Sequence, residues 1–205
     1  MARPRTDIRP RIVRAALTRF LKEGVDGASL RNIAKDAGTN IGMVFYYFPE
    51  KDDLFLAVVE EVYSALVGDL KALLAPDLPP KERLRRAFER LGSASQEELD
   101  VIRLVIREAL LSSARFQKVF ARAERGHLPM ILETLREAFE KGDIDPSLPL
   151  PVVLACTLGL GALPQLLRRG VGDHMPLSGL PPAGELAALS VNLLFRAIGP
   201  DHSHR

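Results

Sequence analysis

The sequence predicts an all-α protein of about nine helices. Apolar residues recur at helical spacing along almost the whole chain of 205 residues, as in the stripe that runs from Ile12 to Leu21. No segment alternates apolar and polar residues in the way that a half-buried strand does. Two stretches rich in glycine and proline, 142–149 and 170–182, are predicted to be loops because these residues interrupt regular structure.

Three short helices are predicted near the N-terminus, at about residues 8–23, 30–37 and 41–47. Gly24 suits the left-handed conformation in which many helices end. Ser29 and Asn40 are favourable N-cap residues for the second and third helices. Gly38 separates these two helices, and Pro49 disfavours helical geometry in the residue before it and so closes the small domain.

Six further helices are predicted, at about residues 51–74, 80–96, 98–112, 114–141, 149–169 and 183–198. Asp52 and Asp53 open the first of them, where acids favour the positive end of the helix dipole. Pro129 is expected to kink the helix over 114–141, because a proline in a helix interior removes a backbone hydrogen bond. The predicted division is an N-terminal domain of residues 1–50 and a larger helical domain of residues 51–205.

Charge is distributed unevenly along the chain. The formal net charge is only +2, but residues 1–51 hold ten Lys and Arg against five acids, a net charge of +5. The remaining 154 residues carry a net charge of −3. A basic end on an acidic body is expected when that end meets a polyanion such as nucleic acid, and a solvated basic tail is the alternative interpretation.

The sequence argues against an enzyme and predicts neither a metal site nor a cofactor. Its one cysteine, Cys156, excludes a disulfide framework and lies in an apolar run, so we interpret it as an inert small hydrophobe. The histidines show no metal-ligand spacing with carboxylates; they are His127, His174, His202 and His204. The chain contains no phosphate-binding loop and no dinucleotide-binding motif.

The chain is predicted to be cytoplasmic. No apolar segment follows the arginine-rich N-terminus, so a secretory signal is not expected. Residues 148–167 are twenty residues without a charge, which is long enough to span a bilayer. The prolines at the start of this stretch suit a first helical turn, and its small residues suit close helix packing in a core or an interface, so we predict a buried helix and no membrane partner.

The three N-terminal helices match a helix-turn-helix plan, in which the third helix lies in the major groove of DNA. Four consecutive aromatic residues end this third helix, and they cannot all face one core. Phe45 and Phe48 are expected in the core. Tyr46 or Tyr47 is then exposed as a phosphate donor beside Lys51, which opens the next helix. The alternative is an aromatic cluster that only joins the small domain to that helix.

A longer pattern contains these features: IVRAALTRF at 12–20, SLRNIA at 29–34, AG at 37–38 and GMVFYYFPEKDDL at 42–54. This pattern resembles the DNA-binding domain of TetR-family transcriptional regulators over about residues 9–54. The resemblance implies a homodimer that binds an operator in double-stranded DNA, with a two-fold related, palindromic site. It also implies a set of DNA-contacting residues: Arg31, Asn40, Ile41, Gly42, Met43, Tyr46, Tyr47 and Lys51.

The roles within this set follow from the resemblance and from side-chain chemistry. Arg31 is placed to bind a guanine edge with two hydrogen bonds, while Asn40 supplies a further polar contact. Ile41 and Met43 stand where such regulators commonly have polar residues, which favours apolar contacts with thymine methyl groups. Phe45 replaces a usual tyrosine and lacks its hydroxyl group. The arginine-rich arm at residues 3–5 either adds minor-groove or phosphate contacts or is a solvated tail.

The last two helices are predicted to form the dimer interface. One small DNA-binding domain contacts too few phosphates to be selective alone, so pairing on DNA is expected. The predicted interface residues are small or apolar, and they are Ala155, Gly159, Ala162, Leu186, Leu189 and Leu193. The alternative is that these helices pack only within their own subunit.

The middle helices are predicted to line a chamber for a small, largely apolar effector. Glu108 falls among apolar positions and is the expected buried carboxylate, whose charge must be paired by a ligand or by the protein itself. The alternative is that the charged residues form an internal Arg–Glu pair or lie on an exposed rim. For His127 the alternative to ligand binding is a structural hydrogen bond. The candidate ligand-binding residues are Phe88, Arg103, Arg107, Glu108, Phe120, His127, Met130 and Leu163.

Together these observations predict a ligand-responsive transcriptional repressor that its effector releases from the operator. Two other functions stay open. One is an architectural DNA-binding protein that responds to no ligand. The other is a small-molecule-binding protein whose helix-turn-helix no longer binds DNA.

Overall fold

The computed structural model describes residues 8–170 and 179–200, and within these residues the chain forms ten α-helices and no strand. The helices are α1 Ile8–Gly27, α2 Leu30–Asp36, α3 Ile41–Tyr47, α4 Lys51–Leu73, α5 Pro80–Gly92, α6 Gln96–Leu111, α7 Ser113–Ala123, α8 Leu128–Glu140, α9 Leu150–Gly170 and α10 Ala183–Ile198. The predicted all-α class is confirmed. The arginine-rich arm at 3–5, most of the predicted loop 170–182 and three of the histidines (His174, His202 and His204) lie outside the described residues.

One predicted helix, over 114–141, is two helices in the structure. α7 ends at Ala123, and a turn separates it from α8. Pro129 lies in the first turn of α8 and so does not kink a helix interior. A proline is favourable there, because the first amides of a helix have no partner within the helix. The N-terminal helix also differs from the prediction: α1 continues past Gly24, whose φ of 77° marks a break in its helical geometry.

The helices fall into two compact units. The first unit contains residues 8–66 together with Ser95–Ala123, so α6 and α7 belong with the N-terminal helices. Its core joins α1 and α3 to the start of α4, and α6 adds the buried side chains of Val101 and Leu104 to the same cluster. α1 packs against both α2 and α6, and α2 packs against α3. The helix-turn-helix therefore shares its core with a helix that lies far along the sequence.

The second unit contains Val67–Ala94 and the described residues from Glu124 onward. In it α5 packs against α8, α9 and α10. Gly161 of α9 lies over the ring of Phe88, so closely that an added Cβ atom would collide with the ring. Arg169 of α9 donates a hydrogen bond to the Ala94 carbonyl at 2.7 Å, and Arg168 donates to the Gly92 carbonyl at 2.5 Å. The bond to Gly92 satisfies a carbonyl group at the C-terminal end of α5, which has no partner within the helix, and the bond to Ala94 holds the turn that follows.

α9 is the one helix in the described residues that is long and apolar enough to cross a membrane, with a mean hydropathy of 1.8 over Leu150–Arg169. Only 22% of that window is buried among the described residues, so the helix does not lie in the core of its own subunit, and its burial in an interface stays a prediction. The helix is one-sided. Val153, Thr157 and Gln165 are buried, while Val152 and Leu163 are more than half exposed. Among residues 8–170 and 179–200, nothing thus covers this apolar face of α9.

Candidate functional site

The predicted DNA-contacting residues lie together in the first unit, on α2, at the start of and along α3, and at the first residue of α4. None of them is buried. Arg31, Asn40, Gly42 and Tyr46 are exposed, while the others are partly buried and are Ile41, Met43, Tyr47 and Lys51. The structure therefore brings the whole predicted set to one small domain and leaves each member accessible.

The start of α3 is held by its N-cap. The Asn40 side chain accepts a hydrogen bond from the Met43 amide at 3.0 Å, as predicted for this residue. An added Cβ atom at Gly42 would lie 3.1 Å from the Asn40 side-chain oxygen, so a larger residue there would crowd the cap. Val44 is fully buried and fixes the inner face of the helix. Gly38 has a φ of 64°, which suits glycine at the turn between α2 and α3.

The aromatic run at the end of α3 divides between core and surface. Phe48 is buried, and the Arg9 guanidinium lies 5.4 Å from its ring centroid. Tyr46 is 75% exposed and meets Tyr47 edge to face, with ring centroids 5.1 Å apart. The prediction of an exposed tyrosine is therefore confirmed. The expectation that Phe45 lies in the core is wrong, since this side chain is 50% exposed; Val44 supplies the inward contact at that point of the helix.

Lys51 is tied to the end of α1. Its ammonium group donates a hydrogen bond to the Asp26 carbonyl at 2.9 Å. The carboxylate of Asp53 accepts from the Glu50 amide at 3.0 Å and so satisfies one group at the N-terminal end of α4. With one acceptor among the described residues, the lysine has two further protons with which to bind an external anion.

Next to Lys51 lies an ionic cluster that the sequence did not predict, which we name the Arg115 cluster: Arg115, Glu108, Asp26 and Asp52. The Arg115 side chain is 9% exposed and Glu108 is 2% exposed. Arg115 donates to Glu108 at 2.8 Å, to Asp52 at 3.1 Å and to both carboxylate oxygens of Asp26. One guanidinium on α7 thereby holds α6, the end of α1 and the first turn of α4.

The hydrogen bonds within the Arg115 cluster favour its charged forms. The bonds from Arg115 lower the pKa of Asp26 below its ordinary value. Burial would raise the pKa of Asp52, but the hydrogen bonds from Lys118 and Arg115 outweigh it and the pKa is lowered. The pKa of Arg115 itself is raised, chiefly by its hydrogen bonds to Asp26. All three groups are therefore ionised at neutral pH.

Two of the candidate ligand-binding residues have their polar groups engaged within the first unit. The prediction that Glu108 is buried is confirmed, and it accepts from the Val25 amide at 3.2 Å as well as from Arg115. Arg107 donates to the carbonyl groups of Phe20 and Leu21, near the break in α1, and lies 3.3 Å from Glu108. The protein itself thus supplies partners for this charged pair, which is the alternative left open by the sequence.

The remaining ligand candidates are dispersed. In the first unit Arg103 is exposed, 3.7 Å from Asp100, and Phe120 is 42% exposed. Phe88, His127, Met130 and Leu163 belong to the second unit, so the structure does not bring the whole set into one unit. There Phe88 is buried, Leu163 is 57% exposed and the other two are partly buried. Burial lowers the pKa of His127.

A buried arginine in the second unit was also not predicted. Arg83 is 2% exposed and forms an ion pair with Glu137. Its Nε atom is buried without a hydrogen-bond partner in the described residues. Burial lowers the pKa of this group. The signal was available in the helical spacing, because Arg83 precedes the buried Leu84 and lies one turn from the buried Ala87.

The predicted interface residues lie on α9 and α10, which pack against each other in the second unit. Ala155 and Gly159 are exposed on α9, and Leu189 and Leu193 are 47% and 58% exposed on α10. Ala162 is partly buried. Leu186 is only 6% exposed and packs inside its own unit, so it does not contribute to the exposed apolar face. Cys156, interpreted from the sequence as an inert small hydrophobe, is exposed on α9.

No group of three or more histidine, cysteine, aspartate or glutamate side chains in residues 8–170 and 179–200 is arranged to hold a metal ion. The chemistry that these residues do present is an array of polar, aromatic and cationic groups around α3.

Comparisons with known proteins agree with this geometry. Residues 12–58 match the family described as bacterial regulatory proteins, tetR family. The HTH-type transcriptional regulator PksA of Bacillus subtilis is 31% identical over 91 residues. That alignment covers 44% of this chain and 44% of PksA, so the chain matches less than half the length of this relative.

Two solved structures share the fold. FadR of Bacillus subtilis in complex with stearoyl-CoA has a TM-score of 0.70 and 20% identity, covering 92% of this chain and 98% of that one. FadR of Thermus thermophilus, a TetR-family transcriptional repressor in complex with lauroyl-CoA, has a TM-score of 0.63 and 24% identity, covering 96% and 98%. Over residues 12–58 the chain is therefore similar to bacterial regulatory proteins of the tetR family, and its fold is shared with these two regulators.

Proposed function

We propose that the protein is a cytoplasmic transcriptional regulator that binds a palindromic operator as a homodimer. The observation that carries this proposal is the accessible surface of α3, where Asn40, Gly42 and Tyr46 are exposed beside Lys51 in a TetR-family domain. Arg31 on α2 completes this surface with a cation that can bind a guanine edge. In function, residues 1–50 contact DNA and residues 51–205 bind the effector and the partner subunit.

The homodimer is proposed to form through α9 and α10. The uncovered apolar face of α9, with Ala155 and Gly159, and the exposed Leu189 and Leu193 of α10 support this proposal. Small residues permit close approach of two helices, and leucines supply apolar area. An exposed apolar patch of this kind is unusual on a monomer and marks an interaction surface.

The effector is proposed to be small and largely apolar, and the first class to test is the long-chain acyl-CoA thioester. The two FadR structures, named as complexes with stearoyl-CoA and lauroyl-CoA, support that class. Effector binding would change the spacing of two recognition helices, which must match one DNA turn of about 34–36 Å. A coupling free energy of about 1–3 kcal/mol would weaken operator binding roughly 5- to 150-fold and make the protein a repressor released by its effector.

The experiment begins with genomic fragments that the purified protein retains, from which one duplex is chosen. Its affinity is measured by fluorescence anisotropy without addition and with lauroyl-CoA, free CoA or lauric acid. We expect lauroyl-CoA to weaken binding and free CoA to leave it unchanged. Unchanged affinity with each compound would refute the acyl-CoA class, and unchanged affinity across a broad metabolite panel would support the architectural function. Failure to retain any fragment would refute DNA binding itself.

A further inference from the structure

We propose that Arg115 is a positioning residue for DNA binding, which holds Asp26 and Asp52 together and thereby fixes Lys51 at the DNA surface. The inference rests on the proposed function, because it assigns Lys51 a phosphate contact. It adds a residue on α7, far along the chain from the helix-turn-helix, to the machinery that sets DNA affinity.

The geometry places Lys51 between the two acids that Arg115 binds. Lys51 donates to the backbone carbonyl of Asp26 at 2.9 Å, and its neighbour in sequence is Asp52. Arg115 binds the side chain of Asp26 at one end of this arrangement and that of Asp52, at 3.1 Å, at the other. Arg115 thus contacts both the residue next to the lysine and the residue whose carbonyl orients its ammonium group, and Lys118 adds a second bond to Asp52 at 2.8 Å.

The energetic balance makes this arrangement sensitive to change. Arg115 is nearly buried, and its third partner, Glu108, is buried more completely. Removal of one partner from a buried ion pair leaves an uncompensated charge, so the remaining groups move toward water or toward new partners. Any displacement of α7 would therefore also move the end of α1 and the start of α4, where Lys51 lies.

The chain offers a matched control on the same two helices. Arg122 of α7 forms an ion pair with Glu60 of α4, and both side chains are more than 40% exposed. This pair joins α7 to α4 as the pair of Arg115 and Asp52 does, but it lies two turns further along α4, away from Lys51 at the start of that helix. Substitutions in this pair test whether the loss of any ion pair between α7 and α4 is enough to weaken DNA binding.

The sharpest variant is Asp52→Asn, compared with Glu60→Gln. Both changes remove one acid from α4 and keep its shape, so general electrostatics alone would tighten DNA binding in both. The positioning proposal predicts the opposite effect, weaker DNA binding, for Asp52→Asn. We expect it to weaken binding to a mixed-sequence duplex of about 30 base pairs, long enough for two half-sites. The expected loss is about fivefold, the order of one hydrogen bond to a phosphate. Glu60→Gln should not weaken binding.

A second comparison uses Arg115→Met, with Arg122→Met as its control. We expect Arg115→Met to lower the slope of log affinity against log salt by about one, as loss of one phosphate contact does. Adding Lys51→Ala to Arg115→Met should then cause no further loss, because the contact is already gone. Arg115→Lys, which keeps the charge with fewer donors, should restore part of the affinity. If Arg115→Met does not fold, the same non-additivity is measured with Asp52→Asn and Lys51→Ala.

Each outcome decides the matter. Additive effects of Lys51→Ala with either variant would show a merely structural role and overturn the positioning proposal while DNA binding stands. Tighter binding by Asp52→Asn would also overturn it. If Lys51→Ala alone leaves affinity and salt slope unchanged, the phosphate contact is wrong and both proposals lose their basis at this residue. If the unchanged protein binds neither this duplex nor a selected genomic fragment, the proposed function itself fails.

Discussion

The side-chain oxygen of Asn40 lies 3.0 Å from the amide nitrogen of Met43, so the residue that precedes α3, the proposed recognition helix, caps it. The cap uses only the oxygen of the carboxamide, which leaves its amino group as a donor for a base edge. One residue therefore combines a structural role and a proposed specificity role, and suitable substitutions separate the two.

Substitution of Asn40 by Ser should preserve stability and weaken operator binding, because serine caps a helix but lacks the amide donor. Asn40→Ala should lose both the cap and the base contact, so operator binding weakens and the free energy of unfolding decreases by about 1 kcal/mol. Urea unfolding and anisotropy with a selected duplex measure the two effects. Equal operator affinity for the serine variant and the unchanged protein would show that Asn40 acts only as a cap.

Arg31→Ala should relax specificity at one base pair of each half-site. A bidentate contact between arginine and guanine is worth about 1–3 kcal/mol of discrimination against other bases. Lys35→Ala, an exposed cation on the same helix, is the control and should alter all sequences alike. Affinities for a duplex series with single base changes give the measurement. A uniform loss across that series for Arg31→Ala would reassign the arginine to the DNA backbone.

Glu108→Ala should strongly destabilise the first unit. The change leaves Arg115 with fewer acceptors and removes the acceptor of the Val25 amide, in a site where Glu108 is 2% exposed. Breaking a buried ion pair costs about 3–5 kcal/mol. Glu60→Ala breaks an exposed pair on the same unit and should cost less than about 1 kcal/mol. Denaturant unfolding of the two variants tests the contrast, and similar stability of both would contradict it.

Leu193→Glu should dissociate the proposed dimer. Leu193 is 58% exposed on α10, and a charge placed in an apolar interface would have to be desolvated. Leu110→Glu introduces the same charge at a leucine that is 83% exposed on α6, and it should leave the molecular mass unchanged. Analytical ultracentrifugation measures both. A dimer that persists in Leu193→Glu at micromolar concentration would place the interface elsewhere.

Stability should fall as the pH drops below about 6.5, the ordinary pKa of histidine, because of His127. Burial lowers the pKa of His127 in the folded protein, so the unfolded chain takes up a proton first. Protons bound preferentially to the unfolded state lower the free energy of unfolding, and the fall ends once the folded protein is protonated as well. His127→Gln should show a smaller decrease in urea unfolding between neutral and mildly acidic pH. An identical decrease in both proteins would assign it to other groups.

Helical spacing was enough to predict most of the fold, and particular residues explain where it failed. The 114–141 pattern stays apolar on one face through the break, so spacing alone does not divide α7 from α8. Pro129 marks the correct place, but a proline is compatible with both a kink and a helix start. Asn40 was predicted as a cap because its partner, the amide of Met43, is local in sequence.

In the candidate site, contacts between residues close in sequence could be predicted, and those between residues far apart in sequence could not. The burial of Glu108 follows from its apolar neighbours on α6, and this was predicted. Its partner Arg115 lies on the next helix, and Asp26 is a further 89 residues away in sequence from that arginine. Nothing in local spacing pairs such groups, because the pairing arises only when α7 packs against α1 and α4. The prediction that Phe45 lies in the core was wrong for a related reason: an aromatic side chain does not by itself indicate which face of a short helix it occupies.

The shared core of the first unit has a consequence for protein engineering. Val101 and Leu104 belong to the same buried cluster as the side chains of the helix-turn-helix, so a gene fragment that ends at residue 66 encodes an incomplete interior. Exchange of helix-turn-helix domains between relatives would therefore fail if the junction were placed at the end of the family match, residues 12–58, alone. A working chimaera must transplant residues 95–123 with the head, as two grafts into one host chain.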